Sequence, residues 1–307
     1  MDIIILLFGF SIGLVLLVKG ADEMVSSAIQ IALKFKLPSS IVGATFIGFG
    51  TSAPELFAST RAALKGDLDL GIGNIVGSNI ANSLLVVAVL YLALPKDYSK
   101  KINLNKISPT WMAILTTIFV STYLLTNKFP FLLGVALLVL VLYVIYKMIS
   151  SESDDEEGLI EEEKSYIWLR GGMSLVATLY GSQLVVENAV EIASIFGVSS
   201  LVIGSTIIAI GTSLPEVAGT ISAAKMRKPD IVFGNIFGSN LFNIGLVGGA
   251  AIMISPGEIS SVIDYQLFIM YFVSFIVIFL SRNIIKRNAI LGYVFIAVYV
   301  LFLISLF

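Results

Sequence analysis

Apolar and polar positions divide this chain into long charge-free runs separated by short charged segments. The runs are Ile3–Val18, Leu37–Pro54, Leu70–Pro95, Ile107–Asn127, Phe129–Tyr146, Gly171–Val186, Ile192–Pro215, Ile231–Gly257, Tyr265–Ser281 and Asn288–Phe307. Each is close to the roughly 20 residues that a helix needs to cross a bilayer core of about 30 Å. The pattern predicts an all-α polytopic membrane protein with ten transmembrane helices. The first and sixth runs stay helix-compatible beyond Lys19 and Val186, as far as Pro38 and Gly197. Helices that long must lie steeply tilted. The first run lacks a basic start and a small-residue cleavage site, so it reads as a retained span and not a signal peptide.

The runs repeat at an offset of 161 residues. GFGTSAPE at Gly48–Glu55 answers AIGTSLPE at Ala209–Glu216, and GNIVGSNIAN at Gly73–Asn82 answers GNIFGSNLFN at Gly234–Asn243. The register reaches back to the pairs Gly43–Gly204, Thr45–Thr206 and Gly20–Gly181. Each copy holds five runs, and an odd number brings the second copy into the membrane from the opposite side. The expected organisation is therefore two inverted five-helix repeats, residues 1–149 and 166–307, joined by a linker at 150–165. Inverted repeats place a substrate site near mid-membrane, on interrupted helices at the repeat interface.

Composition agrees with this reading and narrows the chemistry. Of 307 residues, 57% are hydrophobic and 13% charged, against about 25% charged in soluble domains. There is no cysteine, hence no thiolate nucleophile and no soft-metal site. There is no histidine, hence no Ser–His dyad and no imidazole ligand. A bound metal must be held by oxygen, which favours the hard cations. No exposed basic patch points to nucleic acid, and no cofactor is implied.

The basic residues orient the spans. Fifteen of the 19 Lys and Arg residues fall on one side, the other side holds Arg61, Lys65 and Lys128, and Lys19 lies within the first helix. Positive charge marks the cytoplasmic side. Both termini are expected outside, and the acidic linker SESDDEEGLIEEEK inside the cell. That linker lacks the oxygen spacing and central glycine of a calcium loop and reads as a solvated connector.

Two acids stand apart from the rest. Glu55 and Glu216 sit deep in apolar sequence at matching positions, with no lysine or arginine at their depth. A carboxylate there costs about 2.5–3.5 kcal/mol on insertion scales and needs a partner. The partner expected is a cation or a proton. Pro54 and Pro215 cannot continue a helix begun upstream but suit the first turn of a new one. Each G-T-S-x-P-E is thus a predicted break, with carbonyls of Gly48, Thr51, Ala209 and Thr212 able to face an ion. The hydroxyls of Ser52 and Ser213 lie three residues before the carboxylates; helix capping is their competing role. Asn74, Ser78 and Asn82 form an i, i+4, i+8 polar stripe, repeated by Asn235, Ser239 and Asn243. Their oxygens can replace a hydration shell, or they can serve as interhelical hydrogen bonds. The Gly73/Gly77 and Gly234/Gly238 pairs read as close-packing faces.

GTSAPE and GTSLPE, each followed by GN-x-x-GSN-x-x-N, resemble the two repeats of the calcium:cation antiporter superfamily, and the nearest branch looks like the prokaryotic sodium/calcium exchangers. The resemblance implies an antiporter, not an enzyme, that carries Ca²⁺ and Na⁺ by sliding its two tilted helices past an eight-helix core. It implies Glu55 and Glu216 as ligands shared by both ions, Thr51 and Thr212 acting through carbonyls, and Ser52, Ser78, Ser213 and Ser239 for sodium. Asn82 and Asn243 match the family's central positions, where sodium-coupled members can carry an aspartate. That departure leaves proton coupling as an alternative, although proton-coupled relatives usually show a different glutamate-containing motif. An intramembrane hydrolase built on Ser52 or Ser213 has no base in reach, and a passive channel does not call for inverted repeats. The expected protein is a monomer in the cell membrane.

Overall fold

The computed structural model describes residues 3–102, 104–150, 166–198, 211–260 and 263–306. Its helices are α1 (Ile3–Phe35), α2 (Ser39–Thr51), α3 (Ala53–Leu64), α4 (Leu68–Ala93), α5 (Ile107–Thr126), α6 (Phe131–Ile149), α7 (Ile167–Ile195), α8 (Leu214–Lys225), α9 (Pro229–Ile254), α10 (Asp264–Ser281) and α11 (Ala289–Ile304). Among the described residues six are long and apolar enough to cross a membrane, and the bent pair α2–α3 makes a seventh span. The protein is a multi-pass helical membrane protein. Half of the expected seventh run, residues 199–210, and the acidic linker at 151–165 lie outside the described residues.

The two helices that carry the second motif are the central ones. Within their apolar windows 78% of α4 and 83% of α9 are buried, against 22% for α1. Both helices, and α2 as well, change their winding part-way. Gly43–Gly48, Asn82–Val86 and Asn243–Gly248 are π-helical. A π turn replaces i→i+4 bonds by i→i+5, rotates the helix beyond it, and leaves backbone groups out of register.

At 33 and 29 residues, α1 and α7 run to about 50 and 43 Å at 1.5 Å per residue, longer than a bilayer core is thick. They pack antiparallel through small residues. Gly13 meets Gly181 and Leu184, Gly20 meets Thr178, and the Glu23–Arg170 ion pair closes one end. A similar close approach joins α2 to α9: a Cβ on Gly234 or Gly238 would overlap the carbonyls of Ser40 or Ala44.

Four short strands tie the helix ends. β1 (Ser99–Lys101) pairs antiparallel with β4 (Ile284–Lys286), and β2 (Lys128–Phe129) with β3 (Gly257–Glu258). The β1 loop precedes α5 and the β2 loop comes after it, so the two ribbons sit at opposite ends of the helices. Each ribbon joins the first half of the chain to the second.

The packing of α9 on α2 yields a stability prediction. Gly238→Val is expected to force the two helices apart and destabilise the protein by about 1–3 kcal/mol or more. Gly172→Ala, where no described atom lies within 4 Å of the new methyl, is expected to be neutral. Thermal unfolding in detergent measures both; an unchanged midpoint for Gly238→Val contradicts the packing assignment.

Candidate ion-binding site

The local chain direction at the first motif is set by Pro54. Without an N–H, it withholds the bond that would continue the α2 ladder. Helix α2 ends at Thr51, the axis bends by 45°, and α3 starts at Ala53 with Pro54 in its first turn. Glu55 therefore stands in the first turn of a new helix, near its positive end. Pro215 and Glu216 repeat this at the start of α8, after a turn at Thr212–Ser213. Pro215 also leaves the Gly211 carbonyl without its helical donor, and the Ser182 hydroxyl of α7 supplies one at 3.2 Å.

The two carboxylates meet inside the protein. Glu55 is 4% exposed and Glu216 2%, and Glu55 lies close enough for its charge to act on Glu216. Each accepts its own backbone N–H. Ser78 Oγ donates to Glu55 Oε1 at 3.4 Å. Among the described residues no lysine or arginine pairs with either carboxylate, and Oε2 of both is buried with no hydrogen-bond partner. Ser52 Oγ and Asn243 Oδ1 are left in the same condition. Ser52 and Ser213 occupy N-cap positions, yet neither side chain makes a capping bond. The capping role is thus set aside.

These orphaned oxygens have one capacity in common: all can accept, although the Ser52 hydroxyl also carries a proton to donate. Buried acceptors without donors are costly, and a cation removes the cost by binding several of them at once. Carboxylate, hydroxyl and amide oxygens are the donor set of a hard cation such as Ca²⁺, which takes about 6–8 of them.

The other expected residues surround this pair unequally. Thr51 is fully buried, its hydroxyl 3.1 Å from the Ile47 carbonyl and 3.4 Å from Ser239 Oγ, beside the Glu216 carboxylate. Ser239 donates to the Gly48 carbonyl at 3.2 Å, and the Ser52 N–H points to the same oxygen. Gly48 therefore already accepts two bonds. Of the polar stripe, Asn74 donates to Ser59 at 2.9 Å, and Asn235 Oδ1 lies 3.3 Å from Ser239 Oγ as a second acceptor competing with Gly48 for its single proton. Asn82 and Asn243 are buried where α4 and α9 cross. Ala209 lies outside the described residues.

The halves are not in the same condition. Thr51 and Ser239 touch in a sealed interior. Their counterparts at the 161-residue offset, Thr212 and Ser78, both line a cavity of about 280 Å³ that runs along α4 beside α11, with Ser213 and Asn74 also on its wall. Thr212 is exposed. Two residues that the stripe did not single out, Asn79 and Asn240, are fully buried beside Asn82 and Asn243. The signal for them was present, since each closes a duplicated G-S-N; helical spacing set them aside because they fall off the i, i+4 line.

Comparison with known proteins places this chain in a family. The family model described as sodium/calcium exchanger protein matches residues 5–151 and 166–307. The chain is 38% identical over 264 residues to CaxA of Alkalimonas amylolytica, covering 81% of each. It is 30% identical over 348 aligned positions to the sodium/calcium exchanger MaX1 of Methanosarcina acetivorans, covering 96% of this chain and 97% of the relative. The solved structure of the sodium-calcium exchanger NCX_Mj superposes with a TM-score of 0.83 at 27% identity, over 99% of this chain and 100% of that one. The chain belongs to the sodium/calcium exchanger protein family, in the prokaryotic branch of the calcium:cation antiporter superfamily.

Proposed function

We propose that the protein is a secondary active antiporter that exchanges Ca²⁺ for Na⁺ by alternating access, with Glu55 and Glu216 as the ligands both ions share. The observation that carries this reading is the pair of buried carboxylates, each with an orphaned oxygen and neither with a cationic side chain. Ligands of the same site are Ser52, Ser78, Ser213 and Ser239 through hydroxyls, Thr51 and Thr212 through carbonyls, and Asn82 and Asn243 through amide oxygens. The carbonyls of Gly48 and Ala209 border it. The names of MaX1 and NCX_Mj support sodium as the coupling ion.

Charge counting supplies the mechanism. Two carboxylates carry −2, so one Ca²⁺ or two Na⁺ neutralise the site. An empty site holds two like charges in a low-dielectric interior, which disfavours any rearrangement that strips water from them. A loaded site has no such penalty. Movement is then coupled to occupancy, as antiport requires.

The reading has ten spans, as two inverted repeats at residues 1–149 and 166–307 with a cytoplasmic linker at 150–165. It is supported by the 161-residue register and by the reciprocal ribbons, in which each half lends strands to the other at opposite ends of the helices. The distribution of Lys and Arg supports termini outside the cell membrane. Access is then from the extracellular side, where the cavity beside Thr212 and Ser78 opens, while the sealed contact of Thr51 with Ser239 closes the cytoplasmic path. Long α1 and α7, joined by small residues, are the elements that slide. One chain holds a complete site, which supports a monomer in the bilayer.

A Ca²⁺/H⁺ antiporter is the second reading, favoured by one observation: the central positions 82 and 243 are both amides, so the site carries no third carboxylate.

Two outcomes are expected. Glu55→Gln and Glu216→Gln should each lower calcium exchange by more than about 100-fold, beyond the roughly 10–100-fold lost with a residue that supports a metal ligand. Folded yield should be unchanged; transport retained by either variant, measured with radiolabelled calcium in proteoliposomes, moves the site elsewhere. In the same vesicles an outward sodium gradient should drive calcium uptake, and a protonophore should leave it unaltered. Uptake indifferent to sodium and abolished by the protonophore selects the proton-coupled reading.

A further inference from the structure

Four carboxamides meet where α4 and α9 cross, and they are bonded crosswise between the halves of the chain. Asn243 Nδ2 donates to Asn79 Oδ1 at 3.0 Å, and Asn82 Nδ2 donates to Asn240 Oδ1 at 3.1 Å. Asn79 and Asn240 are themselves anchored. Asn240 Nδ2 donates to Ser83 Oγ at 3.1 Å, and Asn79 Nδ2 to the Asn240 carbonyl at 3.3 Å, with Met270 Sδ at 3.7 Å. All four side chains are 2% exposed or less. The outer pair has its amide groups spent on protein partners. The inner pair uses its nitrogens for the clasp, and Asn243 Oδ1 has no partner among the described residues.

From this arrangement we infer that Asn79 and Asn240 are positioning residues, which hold the Asn243 and Asn82 carboxamides with nitrogen away from the ion and oxygen toward it. The inference rests on the reading that Asn82 and Asn243 are ligands. An amide is ambiguous as a ligand, because its two ends are nearly the same size and a flip presents N–H to a cation. Tying the nitrogen to a fixed acceptor removes that ambiguity, much as a partner on the far nitrogen of a metal-bound imidazole fixes the ring. The π turns begin at Asn82 and Asn243 themselves. The change of winding and the clasp together set the direction of both side chains. Each holder sits on the opposite helix from the ligand it serves, so a shift of α4 against α9 alters both ligands together.

The crosswise pairing gives a test that simple packing would not pass. Calcium half-saturation is measured in proteoliposomes for Asn79→Ala, Asn243→Ala, Asn82→Ala and the doubles of Asn79→Ala with each. Asn79→Ala is expected to raise half-saturation about tenfold, the low end for losing a residue that orients a ligand. In the Asn243→Ala background it is expected to add nothing. In the Asn82→Ala background its full effect is expected to remain, since Asn82 is held by Asn240. Full additivity with Asn243→Ala, or equal coupling to both ligands, overturns the proposal. If Asn243→Ala alone leaves half-saturation unchanged, it is the ligand assignment of Asn243 that fails. Should the alanine variants fold poorly, Asn79→Ser is substituted in the same cycle, with monodispersity in detergent as the check on folding. Coupling of Asn79→Ser to Asn243→Ala alone supports the clasp, and its absence overturns it.

Discussion

The structure depends on a confrontation of like charges. Glu55 and Glu216 are buried close enough for the charge of Glu55 to act on Glu216, and the described protein supplies no cationic side chain to either. Such a pair is a liability in any fold that has to stand alone, because desolvation and mutual repulsion act in the same direction. It is tolerable where a mobile ion completes the structure. Much of the surrounding architecture answers to that condition. The helix breaks at Pro54 and Pro215 put both acids in first turns, and the neighbouring hydroxyls are left without capping duties.

The halves satisfy this condition alike in sequence and unlike in space. The two copies of the motif occupy unlike surroundings, one closed and one open. The contact of Thr51 with Ser239, set against the cavity shared by Thr212 and Ser78, is one such broken symmetry. Small residues at the α1–α7 crossing keep side-chain interlocking low between these two helices.

Much of this was legible in the sequence. Runs of apolar residues located the helices, the 161-residue register paired the motifs, and proline marked the breaks. Glu55 and Glu216 stood out because charge is scarce and its absence elsewhere is informative. What the sequence concealed was what each oxygen is already bonded to. A helical wheel put Asn74, Ser78 and Asn82 on one stripe, yet Asn74 is engaged by Ser59, and the winding changes at Asn82. A π turn has no signature in a single sequence, so the wheel loses phase where it matters most. Gly48 shows a similar limit: its place beside the break suggested a free carbonyl, and Ser239 from the opposite half already reaches it. Half of the seventh apolar run, Ala209 included, lies outside the described residues.

The strand ribbons bear on how the molecule is made. β1 finds its partner in β4, far along the second half of the chain, and β2 waits for β3. Translation delivers the earlier strand of each pair long before the later one, so the first half leaves the ribosome with both of its strand edges unsatisfied. The β2–β3 ribbon can close only once α9 has been made, since β3 lies just beyond that helix. The β1–β4 ribbon closes last, when the segment between α10 and α11 emerges. Completion of the fold is thereby tied to completion of synthesis. A chain interrupted after its first half would present two strand edges without their partners.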